Sequence, residues 1–120
     1  PAPPTRSSRP GNQTCPFYKK IPGSRFTVDA FRYNKIPNCS AYFLTHFHYD
    51  HYGGLTKHWD HGLIYCSQDT ARLLISNLKV DSQYIRPLTI GWEGTCSIEG
   101  WEVTFLDANH CPGAAVILFR

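Results

Sequence analysis

The sequence predicts a strand-rich mixed α/β layer fold in one domain, and three observations carry that prediction. Short apolar runs of strand length alternate with turn signals along the chain. Residues 67–78 switch to helical spacing. The length, 120 residues with 42% hydrophobic content, suffices for one modest core and not for two ordinary domains.

Residues 1–14 combine four prolines with Ser, Thr, Arg, Gly and Asn, and no apolar side chain other than proline there is larger than alanine. They cannot bury enough surface to offset ordering entropy, so a disordered linker is expected there, with order beginning at Cys15. Phe26–Phe31 has strand propensity, Ala41–Thr45 has the continuous apolar character of a buried strand, and Leu63–Cys66 is a third such run. Within 67–78, Ala71, Leu74, Ile75 and Leu78 share one helical face, which predicts a helix over about 69–78 with Ser67 or Asp69 as its N-cap. Cys96–Ile98 and Trp101–Leu106 flank Glu99-Gly100, a two-residue hairpin signal, and Ala114–Phe119 is the last predicted strand. The chain starts at Pro1 and stops directly after that run, which predicts a piece of a longer protein.

Composition narrows the function classes. No run of about 18 apolar residues exists and the amino terminus lacks a secretory signal, so no membrane partner is expected. The basic excess, 12 − 9 = +3, is compatible with a phosphate-bearing partner. The cysteines at 15, 39, 66, 96 and 111 are odd in number, widely spaced and without a C-x-x-C pair, which predicts free thiols in a reducing compartment.

Residues 45–51, Thr-His-Phe-His-Tyr-Asp-His, carry the chemistry. If the extended path of the strand persists through His48, His46 and His48 project from one side with Cα atoms about 6.5–7 Å apart, close enough to share an ion. Phe47 then points into the core. A third ligand is available at His110, in the loop Asp107–Gly113. Three histidines with one open position suit a catalytic rather than a structural zinc. Asp50 and His51 can address a second ion, and two ions about 3.5–4 Å apart are an arrangement for phosphate-ester hydrolysis, but two ligands are too few for it.

A zinc finger using Cys39 fails for want of a second cysteine two to four residues away. Cys111 beside His110 is a poor nucleophile–base pair, because adjacent residues rarely align for proton transfer. Asp29 interrupts a strand, so some group should hold it; either it accepts the free N–H of a ligating histidine or it sits in a strand-end turn. His58 and His61 lie in a polar loop and are expected to be solvated, and Trp59, Trp92 and Trp101 are expected in the core or at its rim.

These residues resemble a known family. Residues 45–51 resemble the H-x-H-x-D-H signature of the metallo-β-lactamase superfamily, with Asp29 as its first-motif aspartate and His110 as its third-motif histidine. Residues 16–23, 26–31, 41–48 and 106–114 are similar to the SNM branch of DNA cross-link repair nucleases, relatives of Artemis and Apollo in the β-CASP group. The resemblance implies an αββα sandwich of two mixed β-sheets with helices outside, of which residues 15–120 would be the amino-terminal half. It implies a zinc-dependent 5′-to-3′ DNA exonuclease in interstrand cross-link repair, in the nucleus, acting on damaged or 5′-phosphorylated DNA ends by attack of metal-activated water. His46, His48 and His110 would hold one zinc ion, Asp50 and His51 would contribute to a second, and Asp29 would orient the ligand loop; Asp50, His51 and Asp29 form the expected catalytic set. The family's bridging aspartate and later histidine follow the last strand, so weak metal binding and slow or no cleavage are expected of these residues alone. An RNA-processing β-CASP nuclease, a small-molecule metallo-hydrolase and a non-catalytic DNA-binding or scaffold form stay open.

Overall fold

In the computed structural model, which describes residues 14–120, seven strands form two sheets. Phe26–Val28 (β1), Ala41–Phe43 (β2), Leu63–Ser67 (β3) and Ile85–Leu88 (β4) make a parallel sheet in the order β1-β2-β3-β4. Cys96–Ile98 (β5), Trp101–Asp107 (β6) and Ala115–Phe119 (β7) make an antiparallel sheet in chain order. Two α-helices complete the described elements, Tyr49–Tyr52 (α1) and Gln68–Asn77 (α2), with single 3-10 turns elsewhere. Residues 1–13, where the linker is expected, lie outside the described residues.

Alternation along the parallel strands builds two cores. Phe26, Val28, Ala41, Phe43 and Tyr65 face the antiparallel sheet and meet Val103, Phe105, Ala115, Ile117 and Phe119 there. Phe43 sits at the centre, with ring centroids 5.2 Å from Phe26, 5.1 Å from Tyr65 and 5.1 Å from Phe119. Burying a side chain of this size contributes about 1.5–3 kcal/mol. The opposite face carries Tyr42, Leu44, Ile64, Cys66 and Ile85, covered by Ala71 and Leu74 of α2 and by the Phe31–Trp59 region. The layers are therefore helix, parallel sheet and antiparallel sheet, consistent with the metallo-β-lactamase type of sandwich; among the described residues there is one helical layer of the expected two, and the sheets are one parallel and one antiparallel rather than two mixed ones.

Local signals act where expected. Ser67 caps α2, its Oγ accepting from Thr70 N at 3.2 Å. Glu99 and Gly100 both have positive φ (51° and 85°), the type I′ geometry that joins β5 to β6. The five cysteines are free. Three readings differ by more than a residue. The predicted strand Ala41–Thr45 pairs as β2 only through Phe43. The run from Phe26 stops pairing after Val28 because Asp29 turns left-handed (φ 52°). The strand β4, unforeseen in the sequence, contains Pro87 and is tolerated because it lies at the sheet edge. Trp59 is buried and Trp101 packs on the inter-sheet core, whereas Trp92 is exposed. No helix among the described residues is long and apolar enough to cross a membrane.

Candidate metal centre

The parallel strands all point one way, so their carboxyl-terminal loops gather along one edge, where ligands bind in open α/β sheets. Asp29 follows β1, and Thr45–His48 follows β2. The path after β2 is not extended through His48 as the spacing argument assumed. The His48 N–H donates to the His46 carbonyl at 3.1 Å, a tight turn centred on Phe47. That turn still sends Phe47 toward the core, where it stacks on Tyr52 at 4.5 Å, and brings the His46 and His48 rings to 4.6 Å between centroids.

His110 arrives from the other sheet, in the loop between β6 and β7. Its ring lies 5.0 Å from His46 and 5.1 Å from His48. One nitrogen from each of the three imidazoles falls within 4.8 Å of the others. A tetrahedral zinc ion with Zn–N bonds of about 2.0–2.1 Å sets its ligands roughly 3.3 Å apart, so small ring rotations suffice to close the cluster on an ion. His48 and His110 are exposed and His46 is half-buried, which leaves one side of the cluster open. Burial is the main cause lowering the His46 pKa; His51 and His48 lower it further and Asp29 opposes them. The neutral imidazole, the form that ligates metals, is thereby favoured.

Asp29 organises the approach. Its Oδ1 accepts from Thr45 N (2.9 Å), and its Oδ2 accepts from Thr45 Oγ1 (2.8 Å) and from His51 Nδ1 (2.7 Å). An ionised carboxylate only accepts, so the single Thr45 hydroxyl proton goes to Asp29. Thr45 Oγ1 is then the acceptor for His46 Nδ1–H, 2.9 Å away. One carboxylate therefore sets both His46 and His51 as Nδ1–H tautomers and leaves each Nε2 with a free lone pair. The His51 ring sits 4.1 Å from His46. Asp29 is itself held by its N–H to the Phe43 carbonyl (2.7 Å) and by Lys19 Nζ on its own carbonyl (2.9 Å).

The structure brings His46, His48 and His110 together and seats His51 beside them. Asp50 is exposed in the first turn of α1, and among the described residues its carboxylate makes no hydrogen bond or ion pair. His58 is exposed, while His61 is half-buried against Trp59 (4.7 Å) and next to Asp60 (3.4 Å), so only His58 is solvated as expected. Sequence reasoning missed Thr45, whose relay to His46 depends on Asp29 arriving from another strand. It also missed the anchor of the His110 loop: Ser67 Oγ donates to the Gly113 carbonyl at 2.7 Å. A Cβ at Gly113 (φ 84°) would stand 2.9 Å from that Oγ, so the glycine is what admits the contact.

Comparison with known proteins gives the same direction. No protein-family model matches the chain. The chain is 62% identical over 106 residues to "DNA cross-link repair protein SNM1" of Arabidopsis thaliana, covering 88% of this chain and 22% of that protein. It is 58% identical over 107 residues to "DNA cross-link repair 1A protein" of Homo sapiens, covering 89% and 10%. The chain is a homologue of the SNM1 proteins. A more distant relative is "5′ exonuclease Apollo" of Danio rerio, 39% identical over 107 residues, covering 85% of this chain and 19% of that protein. This SNM1 homologue thus spans between about a tenth and a fifth of the length of the curated relatives it matches.

Proposed function

We propose that the chain contributes part of the zinc centre of a nuclear, metal-dependent 5′-to-3′ DNA exonuclease of interstrand cross-link repair. Residues 15–120 then belong to the amino-terminal part of a larger metallo-β-lactamase domain, a reading supported by the small share of each relative that they match. The observation that carries the proposal is the open three-imidazole cluster of His46, His48 and His110. An all-nitrogen set with a free side suits zinc kept for chemistry.

A zinc ion bound there supplies Lewis-acid polarisation and makes water a nucleophile near neutral pH. The chain's own residues prepare for it. Thr45 and Asp29 hold the His46 and His51 lone pairs ready, and Ser67 steadies the His110 loop. His51 Nε2 and the exposed Asp50 carboxylate would supply two ligands toward a second ion, and its remaining ligands would have to come from elsewhere. The cavity of about 500 Å³ that His110 shares with Cys111, Asp107 and Asp69 gives a substrate strand room beside the cluster.

The test incubates the 120-residue chain, and a version extended beyond Arg120, with a 5′-phosphorylated DNA strand, the matching RNA and a thioester, with zinc and with chelator. Zinc-dependent shortening of DNA from its 5′ end in the extended version is expected. Preference for RNA or the thioester would move the assignment to another branch of the superfamily. DNA binding without zinc uptake or cleavage would make the protein a scaffold.

A further inference from the structure

On the other face of α1 from the histidines lies a second cleft, of about 270 Å³. At about 100° per residue, Tyr49 and Gly53 share one face of this helix and His51 takes the opposite one. The cleft is lined by Phe31, Arg32, Asn34, Tyr49, Gly53, Gly54 and His61. Three features make it a built site. Tyr49 presents its ring to solvent, 70% exposed, directly after the ligand His48. The Arg32 guanidinium makes a single long hydrogen bond, to the Asp50 carbonyl at 3.4 Å, and no ion pair among the described residues. The floor is two glycines: a Cβ at Gly53 would press on Arg32 Nη2 at 3.0 Å, and one at Gly54 would fall 2.1 Å from the Phe31 carbonyl oxygen. Any side chain at Gly53 would crowd the space that the guanidinium uses.

We propose that this cleft binds one nucleotide of a single strand, its base stacked on Tyr49 and its sugar-phosphate oxygens accepting from Arg32. An aromatic face beside a guanidinium is the combination that holds single strands without reading sequence. The volume fits a single nucleotide unit, not an extended ligand. Cations are at hand: Arg32 is joined by Lys35, whose Nζ binds the His61 carbonyl at 3.0 Å, while the Asp60 carboxylate is already beside His61 Nδ1 at 3.4 Å and Asp50, whose carbonyl Arg32 contacts, is the acid assigned to the second ion. A helix is about 10 Å across with its side chains, so the bound nucleotide lies within about three nucleotides of a phosphodiester at the histidine cluster. The proposal deepens the nuclease reading and rests on it for the source of the strand.

The test titrates the metal-free chain with thymidine 5′-monophosphate, thymidine and inorganic phosphate while backbone amide resonances are followed. Thymidine 5′-monophosphate is expected to shift Arg32, Gly53, Gly54 and His61, with an affinity at least about tenfold above that of phosphate. Tyr49→Ala and Arg32→Gln should each weaken it about tenfold, and Tyr49→Phe should restore the stacking share. Shifts confined to the histidine cluster, phosphate binding as tightly as the nucleotide, or an unchanged Tyr49→Ala would each overturn the cleft. Cleavage assays on the zinc-loaded extended version separate the two ideas. Cleavage of DNA without nucleotide binding in the cleft sinks only this proposal, whereas nucleotide binding in the cleft without cleavage sinks the nuclease reading.

Discussion

Replacing Asp29 by asparagine removes one charge at nearly constant shape and tests the whole ligand-orienting argument. Position 29 is left-handed (φ 52°), a conformation asparagine tolerates, so the backbone has no reason to move. The amide has two ways to sit. With its oxygen on Thr45 N, its NH₂ faces the Thr45 hydroxyl and His51 Nδ1, both of which must become acceptors. His51 then shifts to the Nε2–H tautomer. The Thr45 hydroxyl turns to donate to His46 Nδ1, and His46 shifts as well. With the amide reversed, NH₂ opposes the Thr45 N–H, which costs about 1–3 kcal/mol for an unsatisfied donor in a half-buried place. The first arrangement wins, and His46 then turns an N–H group instead of a lone pair toward the three-histidine site, as His51 does toward the second one. Loss of such a partner costs roughly 10–100-fold in metal affinity, about 1.4–2.7 kcal/mol. The assay is twofold: ring-nitrogen NMR on the metal-free protein for the tautomers, and zinc competition against a chromogenic chelator. Thr45→Val should shift the His46 tautomer alone. If Asp29→Asn leaves both tautomers and the zinc affinity at their parental values, the carboxylate relay is wrong.

Other predictions follow from single contacts. His110→Ala should weaken zinc by more than the roughly 10–100-fold of an outer partner, measured by the same competition, because a third ligand is lost outright. Gly54→Ala should destabilise the fold by about 2–4 kcal/mol, because φ is 105° and the new Cβ would meet the Phe31 carbonyl at 2.1 Å; urea unfolding should show a lower midpoint at unchanged slope. Burial pushes the Cys66 thiol up to about 12 from 9.0. Above pH 9 the unfolded chain loses a proton that the folded chain keeps, so stability falls by up to about 1.4 kcal/mol per pH unit between pH 9 and 12. Cys66→Ala should lower stability at pH 7 yet flatten that alkaline slope, with a remainder left by Tyr42, whose hydroxyl burial also pushes up to about 12, and by Cys15, Cys96 and Tyr65, which burial raises as well. An unchanged slope in urea titrations from pH 9 to 11 would reject the assignment.

Much of this was legible because it is local. The histidines at 46, 48 and 51 stand within six positions, so any path of the chain keeps them near one another. Glu99-Gly100 and Ser67 act within a few residues of themselves and did what their chemistry predicts. What escaped depends on distant segments. The relay through Thr45 needs Asp29 from β1, and the anchor of the His110 loop joins Ser67 to Gly113 across 46 residues. The tight turn at Phe47 escaped because an extended strand and a turn place alternate side chains similarly. Strand β4 escaped because Pro87 argues against a strand, and only its edge position removes the objection.

The site therefore depends on the sandwich as a whole. Two ligands leave the parallel sheet through β2 and the third leaves the antiparallel sheet through β6, so the cluster exists only where the sheets are held in register. That register has a direct link: the first residue of β7, Ala115, donates its N–H to the Thr45 carbonyl at 2.8 Å. Thr45 thus binds the second sheet through its carbonyl, Asp29 through its N–H and hydroxyl, and His46 through the same hydroxyl oxygen. The aromatic core around Phe43, two residues before Thr45, fixes the distance between the sheets. A shift in that packing is transmitted to the ligands through Thr45 and through the Ser67–Gly113 contact, which makes core substitutions near Phe43 act on metal binding as well as on stability.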